Sequence, residues 1–413
     1  MEPGQTNPPA PTEIEIAVEK LVYGGGGLGR WAGRVVLTPF TLPGEQVRVA
    51  LRQEKPDVAY GRLLSVLSPA SERVLPRCPY FTHCGGCHYQ HASYEYELAQ
   101  KEAILRETLR RVGRLQPPGR IEVVAGPDWE YRNRAQLHLE RRRIGFMSAG
   151  SHDVCPVDCC PVSSPRLNAA LAELSAMAHD RRFPPFLRSL ELFTNETAVQ
   201  LNVRSSDRGV AKPFFDWCAE RIPGATTAPV EYTAAGERFR VSRRSFFQVN
   251  RFLVERLVET AVGEARGDTA LDLYAGVGLF TLPLARRFGE VSAVESGDSA
   301  ARDLEFNAAR ARLGVRIHRA AAEAYLDRAD DCPDLVLADP PRAGLGRNTV
   351  TRLLALRPRN LVIVSCDPAT LARDLAALVG GGYSLERLTL VDLFPRTCHI
   401  ETVAELEFVL SAA

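Results

Sequence analysis

The hydrophobic and polar positions of the chain follow different patterns along its length. From residue 13 to about residue 67, short alternating apolar runs are separated by glycine, which predicts a small antiparallel barrel. Strong helical periodicity predicts a helix over residues 94–112. Further on, predicted strands at 121–124, 135–139 and 199–203 mix with a predicted helix near 167–178. This mixture predicts a central α+β domain, within which residues 207–229 carry no clear pattern.

The C-terminal region, from about residue 239, alternates apolar strand-like runs with helical stretches. The strand-like runs cover residues 269–274, 291–295, 315–319, 335–339 and 361–366. This alternation is typical of a doubly wound parallel sheet. Two later runs, 385–393 and 402–410, are joined by a short loop, which predicts an antiparallel hairpin at the end of the sheet.

Length and composition restrict the number of domains and the class of protein. A chain of 413 residues indicates two or three domains. We divide it into a disordered Pro-rich tail (1–11), the barrel (12–70), the central region with a cysteine cluster (71–238) and the sheet domain (239–413). The apolar fraction is 45% and no apolar run is long enough to span a bilayer, so we expect no membrane insertion and a cytoplasmic location. The net charge of +1 means that nucleic-acid binding would depend on local basic surfaces.

A cofactor site is predicted where the strands of the sheet domain end. Gly276 and Gly278 form a turn after the first strand, where a ligand can approach the backbone, and Glu295 ends the second strand. A dinucleotide site needs a third glycine where Thr281 stands, so the turn favours S-adenosylmethionine. Asp339 ends the fourth strand at the same sheet edge.

Cys366 lies at the carboxyl end of the fifth strand and stands before Asp367 and a proline, which break the strand and begin a helix. A positive helix end lowers the pKa of a thiol, so we expect a reactive thiolate here. Carbon 5 of uracil is too weak a nucleophile to take a methyl group directly, whereas thiolate attack on carbon 6 makes it enolate-like. A carboxylate must then remove the carbon 5 proton, and Glu401, in the loop between the last two strands, is the candidate.

A cysteine cluster precedes the helix at 94–112. Cys78, Cys84 and Cys87 can hold one face of a metal centre, and a fourth ligand must come from elsewhere. Cys155, Cys159 and Cys160 are candidates. A zinc site that uses cysteine or His83 is the alternative to an iron–sulfur cluster.

Five stretches resemble the signatures of the bacterial RNA uracil-5 methyltransferases. They are Tyr274-Ala-Gly-Val-Gly278, Asp339-Pro-Pro-Arg-Ala-Gly, Val364-Ser-Cys366-Asp-Pro, Ser245-Phe-Phe-Gln248-Val-Asn250 and Asp392-Leu-Phe-Pro-Arg-Thr-Cys-His-Ile-Glu401. The resemblance covers nearly the whole chain, since the barrel is similar to the OB-like, RNA-binding TRAM domain of that family. It implies a multidomain fold in which a barrel and a central α+β domain precede a class I (Rossmann-like) methyltransferase domain.

By this resemblance, Cys366 is the nucleophile and Glu401 the base, acting on 23S rRNA as a monomer. Gln248, Tyr274, Gly276, Gly278, Glu295 and Asp339 would bind S-adenosylmethionine. A [4Fe–4S] cluster, which the ribosomal branch of the family carries, would be held by Cys78, Cys84, Cys87 and Cys160, with Cys155 as second choice for the last ligand.

Three residues depart from the family pattern. Leu279 stands where asparagine is frequent, Ala322 replaces a polar residue near the adenine, and Asp367 replaces asparagine and adds a charge that opposes thiolate formation. These departures suggest a non-catalytic iron–sulfur RNA-binding protein as one alternative. A tRNA 5-methyluridine enzyme is another, and an RNA 5-methylcytosine enzyme is a third, although Arg342 stands where the second cysteine of that class would be.

Overall fold

The computed structural model describes residues 12–329 and 331–409, which fall into two compact units. The first unit ends at Ile104 and also includes Arg396–Cys398. The second comprises Leu105–Pro395 and the chain from His399 onward. The disordered tail predicted for residues 1–11 lies outside the described residues.

The first unit contains a closed five-stranded barrel. Its strands are β1 (Glu13–Leu21), β2 (Gly26–Trp31), β3 (Arg34–Pro39), β4 (Gln46–Glu54) and β5 (Val58–Ser68), in the order β1-β2-β3-β5-β4. Alternate apolar residues such as Ile14, Ile16 and Val49 fill its core. Glycine is required at Gly27 because a Cβ there would lie 2.1 Å from Thr41 Oγ1.

Helix α1 (Tyr94–Arg111) follows the barrel and confirms the helix predicted over 94–112. Glutamates in its first turn and arginines in its last turn complement the helix dipole. Within the first unit, Lys101 Nζ and Glu97 Oε1 form a fully buried ion pair at 2.7 Å. Burial of both charges is tolerated because each neutralises the other.

The second unit begins with the end of α1 and the short strand β6 (Glu122–Val124). A six-stranded sheet follows, in the order β12-β11-β10-β7-β8-β9. Its strands are β7 (Arg134–Glu140), β8 (Arg143–Met147), β9 (Val154–Pro156), β10 (Leu187–Thr194), β11 (Val199–Ser206) and β12 (Ala225–Thr226). Helix α2 (Pro165–Met177) packs on β8, β10 and β11. The stretch without a clear sequence pattern holds α3 (Lys212–Arg221) and β12.

A hairpin of β13 (Val230–Ala234) and β14 (Glu237–Val241) leads into the largest sheet. The remaining strands are β15 (Gly267–Leu273), β16 (Phe288–Val294), β17 (Val315–His318), β18 (Leu335–Ala338), β19 (Asn360–Ser365), β20 (Tyr383–Val391) and β21 (Glu401–Phe408). The helices are α4 (Val254–Val262), α5 (Thr281–Ala285), α6 (Asp298–Ala311), α7 (Ala322–Leu326), α8 (Gly346–Leu356) and α9 (Pro368–Gly380).

The strand order of this sheet is β17-β16-β15-β18-β19-β21-β20-β6. The first five strands are parallel, whereas β21 is antiparallel to both of its neighbours. The predicted hairpin is therefore present, but it does not end the sheet, because β6 pairs with β20 and forms the edge. Strand order reverses between β15 and β18, which is where open α/β sheets bind ligands.

The predicted fold class is confirmed: a barrel, a central α+β region and a C-terminal α/β sheet domain. Within the described chain, none of the helices has the length and apolar character that a membrane crossing requires.

Candidate active site

The carboxyl ends of β15, β16, β18 and β19 lie next to one another. Leu273 is paired with Val294 on one side and with Ala338 on the other, and Ala338 is paired with Ile363. The residues that follow these strand ends therefore share one edge of the sheet. Glu295 and Asp339, predicted from sequence as site residues, are among them.

The glycine turn after β15 contacts Glu295 directly. The Gly276 amide donates to Glu295 Oε2 at 2.8 Å, and the Gly297 amide donates to Oε1 at 2.5 Å. Gly276 has φ +57°, and a Cβ there would meet no atom within 4 Å, so its surroundings are open. Gly278 has φ +96°, and its Cβ would lie 2.6 Å from Leu304 Cδ1. One glycine thus leaves space above the turn, and the other allows close packing against α6.

Asp272 is a buried acid beneath this turn that sequence reasoning did not select. Its Oδ2 accepts a hydrogen bond from Thr281 Oγ1 at 2.5 Å, and its Oδ1 has no partner in the described part of the chain. Burial raises the pKa of the Asp272 carboxyl to about 7, and the negative charges of Asp339 and Glu295 act in the same direction. The available indication was an acid between two leucines at the buried end of β15.

Gln248 and Asp339 come from distant parts of the chain. Gln248 lies after β14 and is buried, and its Nε2 donates to Asp339 Oδ2 at 3.5 Å. The Asp339 amide donates to Leu273 O at 3.3 Å, which holds the residue at the end of β15. Burial raises the pKa of Asp339 to about 7. These two predicted cofactor residues are therefore brought together.

Cys366 and Glu401 are neighbours across two antiparallel strands. The last residue of β19, Ser365, is paired with Thr402 of β21. Cys366 follows directly after this pair and Glu401 precedes it, and Glu401 lies close enough for its charge to raise the pKa of the Cys366 thiol. Glu401 is the first residue of β21 and is 4% exposed, so it is a buried strand residue and not the exposed loop residue that its position suggested.

The electrostatics of this pair differ from the sequence-based expectation. Burial raises the pKa of the Cys366 thiol to about 11, and the negative charges of Glu401 and Asp339 add to this effect, whereas Arg342 opposes it. Burial likewise raises the pKa of Glu401 well above its usual value, with Asp339 adding to the rise and Arg342 opposing it. The expected lowering of the thiol pKa was therefore wrong for the unliganded protein.

Asp367 occupies the helix end that was expected to stabilise the Cys366 thiolate. It is the N-cap of α9, and its Oδ1 accepts hydrogen bonds from the Ala369 and Thr370 amides at 3.0 and 2.9 Å. The free amides of the helix end, which could have stabilised a thiolate, are thus occupied by a carboxylate. The residue that departs from the family pattern has a structural role of its own.

The other two departures are also buried. Leu279 is 8% exposed and belongs to the main hydrophobic core, and Ala322 is 3% exposed at the start of α7. Tyr274, a predicted cofactor residue, is half-buried with φ +62°, a strained conformation for a residue with a side chain. Such strain is common where a turn is shaped for a ligand.

The loop that leads towards Glu401 is anchored by residues that sequence reasoning did not select for this purpose. Asn250 Nδ2 donates to Leu393 O at 3.1 Å, and the Tyr131 hydroxyl donates to Pro395 O at 2.9 Å. Both side chains are fully buried. Their distance along the chain from the loop hides these contacts from any local sequence pattern.

The cysteines predicted to bind metal occur in both units. Cys78, Cys84 and Cys87 belong to the first and are all half-buried. Cys160, in the second, donates its amide to Asn168 Oδ1 at 2.8 Å and accepts from Asn168 Nδ2 at 3.0 Å. Among residues 12–329 and 331–409, no three His, Cys, Asp or Glu side chains form a group that could hold a metal ion. The support for a cluster is therefore the spacing of the cysteines in the sequence.

The sheet has the strand order of a class I methyltransferase. Its site also has the features of that class: a glycine turn after the first strand, an acid after the second and a carboxylate after the fourth. Comparison with known proteins narrows the class. A family model described as tRNA (Uracil-5-)-methyltransferase matches residues 231–408, and the TRAM domain model matches residues 12–64.

Full-length relatives support the same family. The 23S rRNA (uracil(1939)-C(5))-methyltransferase RlmD of Alkalilimnicola ehrlichii is 33% identical, with 95% of this chain and 96% of the relative covered. An uncharacterized RNA methyltransferase of Thermosynechococcus vestitus is also 33% identical, with 95% and 97% covered. The crystal structure of the Pyrococcus abyssi tRNA (uracil-54, C5)-methyltransferase with S-adenosyl-L-homocysteine has the same fold, with a TM-score of 0.74, 24% identity and 95% and 100% coverage.

The chain belongs to the RNA uracil-5 methyltransferase family. It is an S-adenosylmethionine-dependent enzyme whose substrate is RNA. The resemblance inferred from the sequence motifs is confirmed.

Proposed function

We propose that this enzyme forms 5-methyluridine in 23S rRNA, with Cys366 as the nucleophile and Glu401 as the base. The observation that carries the assignment of roles is the adjacency of Cys366 and Glu401 across β19 and β21. The choice of RNA rests on relatives such as the Alkalilimnicola ehrlichii enzyme, which align over almost the whole chain and are named for 23S rRNA.

The chemistry needs both groups in sequence. The Cys366 thiol gives up its proton to solvent, the resulting thiolate adds to carbon 6 of the uracil, and the electrons of the 5,6 double bond move towards the carbonyl at carbon 4. Carbon 5 then takes the methyl group, which S-adenosylmethionine supplies when bound. The Glu401 carboxylate removes the proton from carbon 5, the 5,6 double bond re-forms, and Cys366 leaves as a thiolate.

The protonation states of the two groups suit different steps. The raised pKa of Glu401 makes its carboxylate a stronger base than an exposed one, which favours removal of a carbon-bound proton. The raised pKa of Cys366 keeps the thiol neutral until substrate is present. Arg342 is the cation that favours the ionised form of both groups, and we assign it this electrostatic role.

The cofactor residues fit a cationic ligand. Asp272 has a buried oxygen without a partner among the described residues, and Asp339 and Glu295 lie close enough to affect its pKa. S-adenosylmethionine carries positive charge on its sulfonium and amino groups, which would offset these carboxyls. The open space at Gly276 would let the ligand approach the turn, and Glu295 would accept from a ribose hydroxyl.

The test uses 23S rRNA fragments and tRNA transcripts with labelled cofactor. We expect label in 5-methyluridine from 23S rRNA, and a stable protein–RNA adduct when the target uridine carries fluorine at carbon 5. Cys366→Ala should give no adduct. Glu401→Gln should attack and methylate ordinary RNA but release it slowly, so that the methyl label remains on a protein–RNA species in denaturing gels.

Three outcomes would each contradict one part of the proposal. An adduct with Cys366→Ala would show that another residue is the nucleophile. Turnover by Glu401→Gln at the wild-type rate would show that another base, such as His399 or water, removes the proton. Methylation of tRNA alone would refute the choice of 23S rRNA without affecting the residue roles.

We extend the proposal to a [4Fe–4S] cluster on Cys78, Cys84, Cys87 and Cys160. Its support is the spacing of three cysteines and the usual set of four thiolate ligands. Cys155 is the weaker fourth candidate because it lies in β9 and burial raises its pKa. Anaerobically purified protein should contain about four irons per chain. Stoichiometric zinc without iron after anaerobic reconstitution would contradict this assignment.

A further inference from the structure

A pocket within the second unit is lined by residues that lie close in sequence to the cofactor residues. Its volume is about 570 Å³, and it is lined by β11, β14, the loop after β14 and the N-terminal part of α6. The loop continues within a few residues to Gln248, and α6 begins three residues after Glu295. The pocket is therefore joined through two short stretches of chain to residues of the cofactor site.

The pocket is strongly basic. Arg240, Arg243, Arg244 and Arg302 line it, and Asp303 is the one acid among the lining residues. Arg240 Nε lies 3.3 Å from Asp303 Oδ1, which offsets one positive charge. The other three arginines are exposed and take part in no ion pair within residues 12–329 and 331–409. Three uncompensated charges in one concavity contrast with a net charge of +1 for the whole chain.

The loop that carries two of these arginines is held in place from both sides. Asp303 accepts hydrogen bonds from the Ser242 amide at 2.7 Å and from the Ser245 hydroxyl at 2.6 Å. Asn202 Nδ2 donates to Arg243 O at 2.6 Å. Asp303 thus holds the loop through its backbone and hydroxyl groups and pairs with Arg240, while Arg243, Arg244 and Arg302 have no carboxylate partner within the described residues. A fixed backbone with free cationic side chains is a preorganised anion site.

We propose that this pocket binds backbone phosphates of the substrate RNA next to the target uridine. The inference rests on the RNA substrate of the proposed function. Guanidinium groups pair with phosphate oxygens in a bidentate manner, and the partly exposed Phe215 and Val203 offer apolar surface to a ribose or base. Arginines from a loop and a helix, all open to solvent, suit a continuous strand better than a single small anion.

The experiment compares two double variants of the full-length protein. Arg243→Gln/Arg302→Gln removes two charges from the pocket, and Arg266→Gln/Arg328→Gln removes two charges from exposed arginines that do not line it. Binding of fluorescent RNA is measured as a function of salt, together with S-adenosylmethionine affinity and steady-state methylation.

For the pocket variant we expect RNA affinity about tenfold lower, and a salt dependence reduced by about one to two counterions. KM for RNA should rise while kcat and S-adenosylmethionine affinity stay near the wild-type values. The control variant should resemble the wild type in all of these measurements.

Equal RNA affinity and salt dependence in the two double variants would overturn the inference. Loss of S-adenosylmethionine binding in the pocket variant would do so as well, since the arginines would then support the cofactor site. Inorganic phosphate could instead bind the wild-type protein at low millimolar concentration while the pocket variant keeps the wild-type RNA affinity. That result would assign the pocket to a small anion and overturn the inference. A wild-type protein that methylates no RNA would refute the proposed function instead.

Discussion

The protonation state of Cys366 gives the sharpest test of the site geometry. A pKa of about 11 leaves about 0.1% thiolate at pH 8, against about 25% for a cysteine of pKa about 8.5, a difference of about 250-fold. The unliganded enzyme should therefore react slowly with iodoacetamide at Cys366. The cause is burial of the thiol, reinforced by Glu401 and Asp339.

The assay follows alkylation of the Cys366 peptide by mass spectrometry, between pH 7 and pH 10.5, in folded protein and in urea. Only the thiolate reacts, so a raised pKa means that the rate in folded protein should rise about tenfold per pH unit up to about pH 10. In urea the rate should level off near pH 9. Restricted access to a half-buried thiol lowers all rates alike and leaves the shape of this profile unchanged.

Circular dichroism at each pH serves as the control for folding. A profile in folded protein that levels off below pH 9 would refute the reasoning, because burial and the two acids would then not govern the thiol. Arg342→Gln provides a directional check, since loss of the opposing cation should move the midpoint to higher pH.

Two further predictions concern the cofactor turn. Gly278→Ala should destabilise the protein by about 1–3 kcal/mol and weaken S-adenosylmethionine binding, because the new Cβ would clash with Leu304 and the backbone has φ +96°. Urea unfolding measures the stability and calorimetry measures the cofactor affinity. A variant as stable as the wild type would contradict the packing argument. The second prediction concerns Asp272→Asn. Because the raised pKa of Asp272 makes the wild-type protein lose folding stability between pH 5 and pH 7, the variant should gain stability relative to wild type over that range, by at most about 3 kcal/mol. A parallel pH dependence of the two proteins would show that Asp272 does not titrate there.

Much of the fold could be predicted from periodicity. The strands of the sheet domain and helix α1 lie close to their predicted positions because their burial patterns are regular. β6 could not be placed, since three residues carry no indication of which sheet they join, and its partner β20 is more than 250 residues further along the chain. α3 and β12 were likewise hidden in a stretch without clear periodicity.

The site could be predicted as a set of residues more readily than as a geometry. Parallel strands align their carboxyl ends by topology alone, so Glu295 and Asp339 were expected at one edge. The proximity of Cys366 and Glu401 depends instead on the register of β19 with β21, two strands separated by a helix, another strand and a long loop. A shift of one residue in that register would turn Glu401 to the other face of the sheet.

The pKa of the Cys366 thiol was expected to be lowered, but the structure raises it, and the reason lies outside the local sequence. Cys366 does precede a helix, but the helix-end amides are bonded to Asp367, which stands between the thiol and the helix. Burial and the two acids then dominate, and all three effects come from residues remote in sequence. A neutral thiol in the unliganded enzyme is also chemically consistent with the proposed role, because an exposed thiolate would be open to oxidation between turnovers. Activation of Cys366 would then depend on the change in local charge when a cationic cofactor and the RNA enter the site.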